Sequence, residues 1–220
     1  MNRLRLCLLL TLLLHSASSH SAPTIGIYTD VNGTQCTGTT TNGFLQGSVW
    51  ANGVDGITGA EFDIFCNQYL NHNLTLVFAS EPGSIQVGDP LLKECVRYCW
   101  WTPWGGPVDS GGGTNLAFTA CQGGSRVRLF TFVLIEKAPT QDIAFHIMGH
   151  GINGLFNCPL ITLCDAPAYT KLCVNDTNSS LPDAIINPQD GSAVLNCPSA
   201  SGVLLSVQQA SWSAVKSIYR

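Results

Sequence analysis

The sequence predicts an all-β protein, an antiparallel β-sandwich with long disulfide-bridged loops and a short C-terminal helix. Three observations carry this reading. Short runs rich in Ile, Val, Thr and Phe alternate with glycine and proline punctuation along most of the chain. Ten cysteines and 22 glycines in 220 residues suit an exported, loop-rich fold. Before residue 200, no stretch of helical length holds a sustained 3.6-residue apolar period.

Composition narrows the function classes. Apolar types make up 45% and charged types 11%, which excludes a disordered chain, since such chains are poor in the first and rich in the second. Lys and Arg number 10 against 14 acids, so there is no basic excess to neutralise nucleic-acid phosphates. The length suits one good-sized domain or two small ones.

The chain opens with Arg3 and Arg5, an apolar run over residues 6–14 and small residues over 15–22, the pattern of a secretory signal peptide. Nine residues span about 13 Å as a helix, against a hydrocarbon core of about 30 Å, so the run is too short for an anchor. Cleavage is expected between residues 19 and 22. It removes two arginines and Cys7, leaving 8 basic against 14 acidic side chains, a net of −6. The mature chain is expected to be secreted, periplasmic or on the cell surface, with no membrane span.

Residues 25–29 read as a short strand ending at the Asp30-Val31-Asn32-Gly33 turn signal. Residues 47–51 and 57–66 follow, the second with Ile57, Ala60, Phe62 and Ile64 roughly alternating, and residues 74–79 make another strand. Residues 127–135 are the strongest, β-branched and aromatic on both faces in their second half, as in a central strand buried on both sides. Residues 137–142 look like a hairpin-length turn into residues 143–148, where Ile143, Phe145 and Ile147 point inward. The domain is expected to run over residues 23–174. A polar, turn-rich extension over 175–202 is tacked down by Cys173 and Cys197, and a tail follows over 203–220. In that tail Trp212, Val215 and Ile218 or Tyr219 recur at helical spacing behind a Ser211 cap.

Nine cysteines remain after cleavage, an odd number, and spacing leaves their pairing open. The Cys158-x5-Cys164-x8-Cys173 spacing lacks the close pairs of a zinc site, and Cys95-x3-Cys99 is one residue too long for a dithiol redox motif. No metal or cofactor is expected.

Several pieces look specific: Ile25-Gly26-Ile27-Tyr28-Thr29-Asp30, Gly33-Thr34-Gln35-Cys36, Gly56 to Phe62, Asn115 to Cys121, Phe156 to Pro167 and Lys171-Leu172-Cys173. Together they resemble a group of uncharacterised secreted proteins of environmental bacteria, a group with no assigned activity. More loosely, residues 56–64 and 127–137 resemble cohesin-like sandwiches, which implies an Ig/cohesin-like architecture and contact with a protein or glycan at a bacterial surface. The first resemblance implies a Cys36–Cys121 bridge and two bridges among Cys158, Cys164, Cys173 and Cys197. Cys66, Cys95 and Cys99 would then supply one bridge and one thiol.

Candidates for chemistry are few. Tyr98, Trp100, Trp101 and Trp104 crowd a glycine- and proline-rich loop. They form a platform for sugar rings, an anchor for a protein partner, or a cap over the open end of the sandwich. His146 and His150 would lie roughly 13 Å apart along a strand, too far to share an ion. Glu61 and Asp63, about 7 Å apart on one strand face, suit the separation of a glycosidase pair, yet an outward Glu-x-Asp reads first as solvated. No calcium loop joins them to Asp30. No serine-nucleophile elbow or phosphate loop is present. Asn32, Asn73, Asn175 and Asn178 begin glycosylation sequons. The reading that follows is a non-enzymatic structural or interaction module with an unknown protein or glycan partner. A carbohydrate-binding module and a secreted hydrolase are the alternatives.

Overall fold

The computed structural model describes residues 22–66, 74–91, 113–137, 142–149, 158–174, 181–188, 195 and 197. Among these residues the chain forms twelve strands and no helix. They are β1 (Thr24–Tyr28), β2 (Thr37–Gly38), β3 (Phe44–Asn52), β4 (Ile57–Cys66), β5 (Leu74–Ser80) and β6 (Ser84–Val87). Then follow β7 (Thr114–Gln122), β8 (Arg126–Glu136), β9 (Ile143–Met148), β10 (Leu160–Leu163), β11 (Lys171–Cys173) and β12 (Ala184–Ile186). The expected C-terminal helix and the leader lie outside the described residues.

Two sheets form. The smaller has the order β1-β3-β8-β5. The larger has eight strands in the order β11-β10-β4-β9-β12-β2, with β7 on β4 and β6 on β7. Every pairing is antiparallel except β12 with β2. The sheets meet through alternating inward side chains, as a sandwich requires. Phe130 of β8 packs edge-on against Phe62 of β4, and Phe132 packs against Phe145 of β9, both at 5.9 Å between centroids. Phe78 of β5 closes the same aromatic seam beside Phe130 and Phe132.

One irregularity in β8 sets both of its faces. The register with β3 slips between Val49 and Trp50, which face Phe130 and Arg128, so Leu129 is an extra residue. This β-bulge lets Leu129 and Phe130 both point into the core while Arg126 and Arg128 point out. Beyond it Phe132 and Leu134 face in, and Thr131, Val133 and Ile135 face out. The expectation that this strand is buried on both sides is therefore corrected: it is central in its sheet, but Ile135 is 46% exposed. The inward placement of Ile143, Phe145 and Ile147 holds.

Two connections also differ from expectation. β8 and β9 belong to different sheets, so residues 137–142 carry the chain from one layer to the other and are not a hairpin. Residues 184–186, within the segment read as loop-rich, form β12 in the larger sheet. Its AII sequence is short, and the polar run around it hides it from a periodicity test. At one end of the interior, Glu136 accepts hydrogen bonds from Thr40 and Asn187, each 2.9 Å, which ties the layers together.

Among the described residues the disulfides are Cys36–Cys197, Cys121–Cys164 and Cys158–Cys173. The expected Cys36–Cys121 bridge is thus overturned, and of the two expected among Cys158, Cys164, Cys173 and Cys197 only one forms. Strand geometry gives the reason. Gln122 and Leu163 both pair with Ile57, so Cys121 and Cys164 arrive together beside Gly56 at the start of β4. A Cβ on Gly56 would sit 3.2 and 3.3 Å from their two sulfurs, and its φ of +136° suits glycine alone. Cys36 lies beside β12, where the Ile185 N–H donates to its carbonyl at 2.9 Å, and it bonds Cys197 beyond that strand. Cys66 is buried at the end of β4, and Cys95 and Cys99 lie outside the described residues.

If the aromatic seam joins the layers, Phe132→Ala should destabilise by about 3–5 kcal/mol in urea unfolding. Val87→Ser, at an exposed position of β6, should change stability by no more than about 0.5 kcal/mol. A Phe132→Ala loss under about 1 kcal/mol would show that the layers are held by something else.

Candidate interaction surface

The outward face of the smaller sheet is built from three strands in continuous register. Thr75, Ile135 and Phe44 form one row across β5, β8 and β3. Val77, Val133 and Gln46 form the next, and Ala79, Thr131 and Ser48 the third. None of these nine positions carries a charge. Phe44 is 45% exposed and Val77 56%, so with Ile135 three large apolar side chains stand in water on neighbouring strands. Strand β5 alternates buried or half-buried with exposed residues along its whole length, so half its side chains face outward whatever their polarity.

One side of this patch has a polar border. Arg128 bonds both Glu81 oxygens, at 2.5 and 3.1 Å. Arg126 lies 4.6 Å from the Trp50 ring centroid and 5.7 Å from that of Tyr28. The Arg126 Nη2 group donates to the Gly33 carbonyl at 2.6 Å, and Trp50 Nε1 donates to Ser48 Oγ at 2.9 Å. The loop above them is fixed by Asp30, whose carboxylate accepts from the backbone of Asn32, Thr34 and Gln35 and from the Thr34 hydroxyl. That carboxylate is committed to its own turn, on the opposite sheet from Glu61.

The remaining candidates fall elsewhere. Glu61 and Asp63 share the outward face of β4, as their spacing requires, but they are 7% and 3% exposed, so the expectation of solvated side chains is corrected. Glu61 accepts a hydrogen bond from Lys171 Nζ at 3.0 Å. His146 lies on a strand, across from Phe65 with ring centroids 6.0 Å apart, and burial pushes its imidazole below the usual range. His150, Tyr98, Trp100, Trp101 and Trp104 lie outside the described residues. Among the described residues, no group of three or more His, Cys, Asp or Glu side chains could hold a metal ion.

Sequence reasoning missed Phe44, Val77 and Ile135. The available signal was the lack of any Lys, Arg, Asp or Glu at every second position of residues 44–48, 75–79 and 131–135. It missed Asp183 as well. This residue is 4% exposed, and its backbone N–H donates to Phe145 O at 2.8 Å while Ile147 N–H donates to its Oδ2 at 2.6 Å. The carboxylate thereby prolongs the β9–β12 ladder by one step. Burial, opposed by the Ile147 N–H, raises its pKa to about 7.

A carboxyl that titrates near 4 when unfolded and near 7 when folded holds its proton more tightly in the native state. Its contribution to stability is complete below pH 4 and is lost as the pH rises through 7, on the order of 4 kcal/mol in all. Asp183→Asn should therefore gain on the parent protein as the pH is raised from 4 to 8, in urea unfolding at each pH. Comparison with the parent cancels His146, whose lowered pKa acts with the opposite sign. A stability difference flat across that range would show that Asp183 does not titrate there.

No protein-family model matches the chain, and comparison with curated proteins finds no match. Among solved structures it is similar to the cohesin module from Clostridium perfringens ATCC13124 family 33 glycoside hydrolase. The identity is 10% and the TM-score 0.43, over 70% of this chain and 91% of that one. The all-β sandwich assignment rests on the strand pairing above and not on this likeness.

Proposed function

We propose that this chain is a secreted, non-enzymatic interaction module, and that it binds a protein partner through the outward face of β3, β8 and β5. The observation that carries the reading is the uncharged array around Phe44, Val77 and Ile135. Contiguous exposed apolar surface with a charged border is characteristic of interaction sites, whereas scattered single apolar residues are not. The three large side chains that stand most exposed on it, Phe44, Val77 and Ile135, are apolar, and its polar positions are the uncharged Thr75, Gln46, Thr131 and Ser48, which favours protein over glycan. The three disulfides are compatible with an extracellular setting. A hydrolase reading is disfavoured because Glu61 is engaged by Lys171 and Asp63 is buried.

One observation favours the carbohydrate reading as a second choice. Leu91 bridges Ile64, and Thr114 pairs with Phe62, so the segment bearing Tyr98, Trp100, Trp101 and Trp104 begins and ends beside Asp63. That segment supplies three indole rings and a phenol in its sequence, and aromatic rings stack on the apolar faces of sugars.

A photo-reactive benzoylphenylalanine in place of Phe44 should cross-link a discrete protein when the full chain is added to extracellular material from its own source. Adding Ile135→Ser should abolish the adduct and leave the melting temperature unchanged. If no adduct forms, and polysaccharide pull-down is lost in Trp100→Ala, the glycan reading replaces this one. Hydrolysis abolished by Glu61→Gln would overturn the non-enzymatic assignment.

A further inference from the structure

The two edges of the smaller sheet are finished differently. At one edge, β1 keeps Ile25 and Ile27 fully buried. At the other, Leu76 and Phe78 of β5 point into the sandwich yet stay half-buried, whereas their neighbours Phe132 and Leu134 on β8 are closed over. The flank of the core is open beside β5.

The backbone there is open too. Glu81 N–H donates to Leu129 O at 3.1 Å, and Glu136 N–H donates to Gly43 O at 2.7 Å. Hydrogen bonding alternates along an antiparallel ladder. Thr75, Val77 and Ala79 therefore bond β8, while the N–H and C=O groups of Leu76 and Phe78 point to the open side. Among the described residues no strand takes them up. Natural edges are blunted by charge, proline or a bulge. The sequence Leu74-Thr75-Leu76-Val77-Phe78-Ala79-Ser80 has neither charge nor proline, and its seven pairs with β8 run without a break in register. Among the described residues it is an unguarded edge about 24 Å long.

Only an extended backbone matches that row of donors and acceptors, and β5 matches itself. With Val77 on a two-fold axis, Leu76 faces Phe78 of the second copy and Leu74 faces Ser80, each as a hydrogen-bonded pair. On the outward face Val77 meets Val77, and Thr75 meets Ala79. This register pairs all seven residues, sets no charge against another, and closes both half-buried side chains beneath the new strand pair. Closed two-fold dimers are the commonest soluble assembly. We infer that two copies of this chain join by antiparallel pairing of their β5 strands about Val77, extending the four-stranded sheet to eight strands. The inference rests on the backbone edge of β5 and shares only Val77 with the partner-binding reading, whose other two large side chains, Phe44 and Ile135, lie inward of this edge.

Sedimentation equilibrium on the mature chain tests it. The parent protein should show twice the monomer mass, and Val77→Lys and Val77→Glu, each placing like charges on the axis, should each halve it. Mixing the two variants should restore the doubled mass, because only then do opposite charges meet. Should Val77→Lys fail to accumulate, Thr75→Lys combined with Ala79→Lys gives the same halving. The dimer should survive in Phe44→Ser with Ile135→Ser, which separates its failure from failure of the binding reading. A monomeric parent, a dimer that persists in Val77→Lys, open-ended polymers, or a mixture that stays monomeric would each overturn the inference.

Discussion

The contact between β8 and the larger sheet is the constraint on which the rest depends. Phe130 and Phe132 meet Phe62 and Phe145 across the interior, and β8 is also the strand that holds β3 and β5 together. The three disulfides among the described residues lie on the other side of this contact. Cys36 stands before β2, and Cys121, Cys158, Cys164 and Cys173 belong to β7, to β11 or to the ends of β10, all in the larger sheet. Among the described residues sulfur therefore cross-links the larger sheet, while the layer with the candidate face is held by packing of apolar side chains and by the chain itself.

The bulge at Leu129 turns that packing into a surface. In a strand of the same sequence that alternated without the bulge, the charged positions Arg126 and Arg128 and the uncharged Thr131, Val133 and Ile135 would fall on opposite faces. With it, all five face outward, and the strand divides into a charged end beside Trp50 and an apolar end beside Phe44. A single register slip thus places a border and a patch on the same sheet.

Much of the fold was legible because the residues at β4, β5, β8 and β9 carry a strand's own signal, β-branched and aromatic runs between turns. What escaped depended on partners distant in sequence. The pairing of Cys121 with Cys164 follows from both reaching Ile57 from different strands, and no spacing rule contains that fact. Strand β12 is three residues in a polar stretch and exists because β9 and β2 flank it. Glu61 and Asp63 read as solvated because outward polar residues usually are, and nothing local reveals a buried outer face on β4. The apolar second face of β8 was read as interior for the converse reason, since composition reports that a side chain is apolar and not whether anything covers it.

Seen from water, that last ambiguity has a physical content. Leaving Phe44, Val77 and Ile135 about half exposed forgoes part of the roughly 1.5–3 kcal/mol that full burial of each such side chain supplies. A chain in which only 11% of residues are charged has few ionic groups with which to offset an exposed apolar sheet. Two such charges, Arg128 and Glu81, are nevertheless spent on each other at the border, while the patch itself has none. Charges withheld from the rows that most expose apolar area leave those rows free to lie against another surface without stranding an ion in the contact, where an unpaired charge costs several kcal/mol. The same absence continues onto β5, at whose edge, among the described residues, the backbone and the half-buried Leu76 and Phe78 meet no further strand and the outer residues carry no charge.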